Sequence, residues 1–144
     1  MSFKSRTEAV GTQVSVTRKI SRNFELARNV AHNSTYGNIR HGAVLVRGGS
    51  VLNASFNKEN FSSFGNRFRR SGQGPATVHA ELGCVLGLSR DSTTGADIYV
   101  CRINKEGEFR SSKPCPMCHE ALRHVGVKRV YYTTNEGTFE MYKL

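Results

Sequence analysis

Lys113-Pro114-Cys115-Pro116-Met117-Cys118, read together with Thr77-Val78-His79-Ala80-Glu81 upstream, decides how the chain is to be understood. Pro114 follows Glu81 by 33 positions, so the pattern is His-x-Glu, a long interval, then Pro-Cys-x-x-Cys. One imidazole and two thiolates suit a tetrahedral Zn²⁺ and leave its fourth position open. A catalytic ion needs that open position and a structural ion does not. Glu81 then supplies a carboxylate beside the metal that can move protons without ligating it.

Each half has a plainer reading on its own. His79 alone is an ordinary core or surface histidine. Cys115 and Cys118 alone are a redox pair or half of a zinc knuckle. A knuckle requires a second close ligand pair, whereas Cys84 and Cys101 stand isolated among apolar neighbours and read as buried thiols. A redox pair leaves His-x-Glu without a purpose. The joint occurrence therefore favours a metal site built from His79, Cys115 and Cys118, with Glu81 as the acid–base group.

Working outward, Thr77 is a candidate N-cap for a helix running to about Leu88, which places His79 and Glu81 in its first turns near the positive end of the dipole. Pro116 suits the first position of a second helix, and Cys115 and Cys118, three apart, share one side of it. That helix runs through Ala121, Leu122 and Val125 to Gly126. His119 points to another side and reads as peripheral. From about Thr17 to Ser34, apolar residues Ile20, Phe24, Ala27, Val30 and Ala31 recur at helical spacing. Gly42 to Val46 and Val51 to Phe56, joined by Arg47-Gly48-Gly49-Ser50, read as a β-hairpin. Asp97 to Arg102 and Lys128 to Thr133 are further strands, and Phe109 begins a short return. The segment Phe139 to Tyr142 is too short to place. Strands alternating with helices predict an α/β sandwich, a mixed central sheet flanked by helices.

Residues 1–16 read as a flexible basic arm and 17–144 as one domain, a length that buries a real core. Residues 58–76 are the least regular stretch, with phenylalanines interleaved among Arg67, Arg69 and Arg70. Such a loop either grips phosphates and stacks bases, or tucks its phenylalanines into the core and leaves its arginines solvated. The chain carries 21 Lys and Arg against 11 Asp and Glu, a formal +10 that favours anionic partners: a nucleotide phosphate, or nucleic acid. No apolar run reaches the ~20 residues of a membrane span, so no membrane partner is expected. The absence of a secretory pattern at Met1 to Glu8 makes a cytoplasmic or nuclear location the default.

The His-Ala-Glu and Pro-Cys-Pro-Met-Cys elements, with Gly42 to Asn57 and Val127 to Tyr132 in the same order, resemble the cytidine deaminase-like superfamily. The likeness is nearest the branch of deoxycytidylate and tRNA adenosine deaminases, whose motif pair is an established signature. That resemblance implies a three-layer α-β-α sandwich, a Zn²⁺ cofactor, a small-molecule nucleoside or nucleotide substrate and a homo-oligomer. It also implies that Asn57 bonds the substrate sugar and that backbone near Ala80 or Pro114 orients the base. A strand-ending asparagine in a turn is the equal alternative for Asn57. Arg67, Arg69 or Arg70 would hold a phosphate.

The expected chemistry is hydrolytic removal of the amine from cytosine in a nucleoside or nucleotide. Relatives with similar motifs also act on adenosine or cytidine in tRNA or single strands and on free bases. Met117 recurs among those acting on tRNA and on free bases. Lys58-Glu59-Asn60 after Asn57 departs from the usual deoxycytidylate pattern. A non-enzymatic zinc fold that binds nucleic acid is the competing class, and loss of the glutamate would be its mark; Glu81 is present.

Overall fold

The computed structural model describes residues 10–61, 63–68 and 77–144. In chain order the elements are β1 (Thr12–Gln13), α1 (Arg18–Ala31), β2 (Arg40–Arg47), β3 (Ser50–Phe56), β4 (Lys58–Phe61), α2 (Ser63–Asn66) and β5 (Thr77–Val78). There follow α3 (Ala80–Val85), α4 (Arg90–Thr93), β6 (Asp97–Ile103), β7 (Phe109–Arg110), α5 (Pro116–His124), β8 (Arg129–Thr133) and β9 (Phe139–Lys143).

Seven strands form one mixed sheet in the order β1-β9-β8-β6-β2-β3, with β7 added to β6. All pairings are antiparallel except β6 with β8, which are parallel. A parallel pair cannot be closed by a tight turn and needs a crossover, which α5 provides. Its N-terminus therefore lies at the carboxyl end of β6 and β8, where Ser112 N–H donates to the Thr133 carbonyl at 3.0 Å.

Alternation along the strands sorts side chains into two cores. Val44, Val46, Tyr99, Cys101, Ile103 and Tyr131 face α1, meeting Phe24, Ala27 and Ala31. Ala43, Leu45, Ile98, Val100, Val130 and Tyr132 face the other way, meeting Ala80, Cys84 and Val85 of α3 and Leu122 of α5. The three-layer sandwich implied by the sequence is what forms. Thr17 caps α1, its hydroxyl accepting from Ile20 N–H at 3.2 Å. Gly42 lets that helix lie directly on the sheet: a Cβ there would sit 2.0 Å from the Ala27 carbonyl oxygen and 2.8 Å from the Ala31 nitrogen. Among the described residues, no helix is long and apolar enough to cross a membrane.

Several local expectations are corrected. Of the 1–16 segment, residues 1–9 lie outside the described residues, whereas Thr12 and Gln13 pair with Met141 and Glu140, and Val14 packs against the α1-side core. Thr77 is not an N-cap. Thr77 and Val78 extend as β5 against β4, so His79 becomes the cap residue of a helix that starts at Ala80 and ends at Val85. Gly87, at φ +80°, turns the chain shortly after. Phe139 to Lys143, too short to place from sequence, pairs along the whole of β8. His119 is not peripheral but buried, its Nδ1 3.3 Å from the Tyr142 hydroxyl.

Candidate metal centre and active site

The centre assembles at the carboxyl edge of the parallel strands. There the amino end of α5, the residue preceding α3, the first residues of β2 and the last of β3 converge. Cys115 occupies the N-cap position of α5 with Pro116 behind it, so its side chain sits ahead of the first turn while Cys118 lies within it. His79 caps α3 in extended conformation, φ −70° and ψ 159°, with no hydrogen bond from its ring to the helix. The ring is thereby left to face the sulfurs. Its Nδ1 lies 3.7 Å from Cys115 Sγ and 3.2 Å from Cys118 Sγ, and the three donor atoms fall within 4.8 Å of one another.

A tetrahedral zinc with bonds of about 2.0–2.3 Å needs donors about 3.5–3.8 Å apart, so this one-nitrogen, two-sulfur set fits the ion. The thiol chemistry fits as well. The Cys118 thiol and the His79 ring pull the Cys115 thiol down to about 4, against the opposing effect of burial. Cys115 is thus a thiolate at neutral pH, the form that ligates. Burial raises Cys118 well above the ordinary thiol value, with its contact to Cys115 adding to the effect. His79 is raised by its hydrogen bond to Cys115.

Glu81 is buried at 5 % exposure on the first turn of α3. Burial raises its pKa, partly countered by the charge on His79. The six-residue α3 is too short for a strong dipole to matter here. Its fixed position comes instead from packing: Leu82 sits in a buried cluster with Met117, Cys118 and Ala121, and Asn53 Nδ2 donates to the Cys84 carbonyl at 3.1 Å.

A cavity of about 320 Å³ opens over these groups, lined by His41, Asn57, His79, Glu81 and Cys115, with Tyr36, Ile39, Lys58 and Lys113 around them. Asn57 thus reaches the site. Ala80 and Pro114 are buried beside the candidate ligands without lining the cavity. Arg67 is exposed and lies over the Phe64 and Phe68 rings, 5.9 and 5.5 Å from their centroids, rather than on the cavity wall. Those phenylalanines pack against the Leu82–Met117 cluster. Arg69 and Arg70 fall outside the described residues. Sequence reasoning missed His41, Lys58 and Lys113. The latter two were legible as cations flanking Asn57 and Pro114, whereas nothing local marks His41.

A mixed sheet with helices on both faces, carrying a His/Cys/Cys group at the carboxyl edge of its parallel pair, is the cytidine deaminase-like fold. Residues 17–134 match the model of the cytidine and deoxycytidylate deaminase zinc-binding region, and the chain belongs to that family. Zinc is therefore its metal, and His79, Cys115 and Cys118 form the group able to hold it. Among solved structures, the chain resembles the dCMP deaminase of cyanophage S-TIM5 in apo form, at 22 % identity and TM-score 0.55, covering 80 % of this chain and 82 % of that one. The same enzyme in complex with dCMP and dUMP matches at 21 % identity and TM-score 0.55, covering 83 % and 85 %. Acinetobacter baumannii RibD matches at 22 % identity and TM-score 0.51 over 81 % of this chain, which spans only 28 % of that protein. No curated protein matches.

Proposed function

We propose that the protein is a zinc-dependent hydrolytic deaminase whose substrate is cytosine in a nucleoside or nucleotide, converted to the uracil form with release of ammonia. The observation that carries this reading is the burial of the Glu81 carboxyl in the same cavity as the His79, Cys115 and Cys118 donors. Bound zinc supplies Lewis acidity, bringing the pKa of a coordinated water from 15.7 to about 7 so that a nucleophile exists at neutral pH.

Glu81 does the proton work. It takes a proton from the water that adds to the amine-bearing ring carbon and passes it to the neighbouring ring nitrogen. It then carries the second water proton to the amine. The carbon–nitrogen bond breaks, a carbonyl forms and ammonia leaves. One group serves both directions because burial raises its pKa, which makes protonation of the carboxylate easier.

The cavity volume of about 320 Å³ lies at the small end of ligand sites, the scale of one nucleoside or nucleotide. Lys58 and Lys113 on its wall favour a substrate bearing a phosphate. The likeness to a dCMP deaminase solved with dCMP and dUMP supports the same substrate class. Polymer binding through an arginine-rich wall finds less support, since Arg67 is engaged with phenylalanine rings away from the cavity.

The test is ammonia release by zinc-loaded protein from cytosine, cytidine, dCMP, guanine and a cytosine- and adenosine-containing single-stranded oligonucleotide. Turnover of cytidine or dCMP is expected to exceed the rest. Release only from guanine or only from the oligonucleotide would overturn the substrate assignment, and no release from any of them would overturn the activity.

A further inference from the structure

The cavity wall holds a polar ring that the proton transfers above do not use. His41 is the second residue of β2, in register with Arg102 of β6, and it lines the cavity together with His79, Glu81 and Cys115. Its ring nitrogens have no hydrogen-bond partner among the described residues. Its backbone, by contrast, is gripped from both sides by one residue. The His41 N–H donates to Asn57 Oδ1 at 3.0 Å, and the Asn57 N–H donates to the His41 carbonyl at 3.3 Å.

The Asn57 amide is committed elsewhere too, its Nδ2 donating to the Ile39 carbonyl at 2.8 Å. Each polar atom of that side chain thus already makes one hydrogen bond to the chain at 39–41, although the residue borders the cavity. An amide tied in this way can meet a substrate hydroxyl only through its remaining lone pair and second N–H. The imidazole of His41 has no such prior obligation. As an imidazole on the cavity wall, it can offer one N–H and one bare nitrogen to a ligand.

Resting on the deaminase reading of this site, we propose that His41 is a side chain that hydrogen-bonds a hydroxyl or carbonyl of the substrate and sets its orientation. Asn57 is in addition a positioning residue that fixes the backbone of His41.

The experiment compares zinc-loaded wild type with His41→Phe, His41→Gln, Asn57→Ala and the His41→Phe/Asn57→Ala pair. For each, kcat and KM are measured on cytidine and dCMP, the dissociation constants of uridine and dUMP by calorimetry, and zinc content by atomic absorption. His41→Phe is expected to raise KM and the product dissociation constant about tenfold to a hundredfold, with full zinc and kcat changed far less. His41→Gln should recover part of that loss, which a merely structural role would not predict. Asn57→Ala should weaken binding in the wild-type background and cost less once His41 is Phe.

The proposal is overturned if His41→Phe binds product within about twofold of wild type while turning over normally. It is also overturned if Asn57→Ala keeps its full effect in the His41→Phe background. A wild type that releases no ammonia from any substrate would overturn the deaminase reading, and this proposal with it.

Discussion

The Nδ1 of His79 lies 3.2 Å from the Sγ of Cys118, although 39 residues separate them in sequence. The sheet closes that distance by setting the amino ends of α3 and α5 side by side. Without an ion, Cys115 is the thiolate, while burial keeps the proton on the Cys118 thiol. Zinc uptake at pH 7 should therefore expel at least the Cys118 proton. Calorimetry in buffers of different ionisation enthalpy measures this directly. Cys118→Ser should weaken zinc binding by at least about a hundredfold and reduce the proton release.

The loop that delivers Cys115 is anchored by a buried hydroxyl pair. Ser112 Oγ lies 2.8 Å from Thr133 Oγ1 and donates to the Val100 carbonyl at 2.8 Å, while the Thr133 N–H donates back to Ser112 Oγ at 2.8 Å. Ser112→Ala leaves that N–H and the Val100 carbonyl without this partner in a dry setting. A loss of about 1–3 kcal/mol in unfolding free energy is expected, read from urea titration, together with weaker zinc retention.

Helix α1 cannot rest where it does with any larger residue beneath it. The atoms that a Gly42 Cβ would strike belong to backbone, which cannot swing aside as a side chain can. Gly42→Ala should cost about 1–3 kcal/mol or more, seen as a lower thermal midpoint. An unchanged midpoint would mean that α1 sits higher off the sheet than described.

His41 also makes a stability prediction. Its pKa falls from 6.5 to about 4 on folding, so the unfolded chain binds the proton more readily. This contribution is fully present above pH 6.5 and is lost as pH falls from 6.5 toward 4. Its size is on the order of 2–3 kcal/mol. Denaturation at several pH values should show a shallower acid decline in His41→Phe than in wild type.

Much of this molecule was legible from residues alone, where local chemistry spoke. The apolar spacing around Phe24, Ala27 and Ala31 marked α1, the Gly48-Gly49 turn marked the hairpin, and Pro116 marked the first position of α5. The donor set was legible because few other purposes unite His-x-Glu with Pro-Cys-x-x-Cys. What escaped depends on distant pairing. The β9 segment exists as a strand only because β8 lies beside it, and Thr77 is extended rather than a cap because β4 claims its backbone. His41 became visible only once β2 was in register with β6 and next to Asn57. The arginines of the loop drew attention through charge, yet Arg67 follows its phenylalanine neighbours and not the cavity.

In the proposed mechanism, Glu81 moves protons at a zinc centre it does not build. Glu81→Gln keeps the size of the buried side chain and removes its ability to accept and return a proton. Zinc content and ammonia release from cytidine or dCMP should be measured on the same preparation of this variant. The expected result is metal bound as in wild type with turnover down by at least about a hundredfold. Undiminished ammonia release with zinc in place would remove Glu81 from the proton transfers.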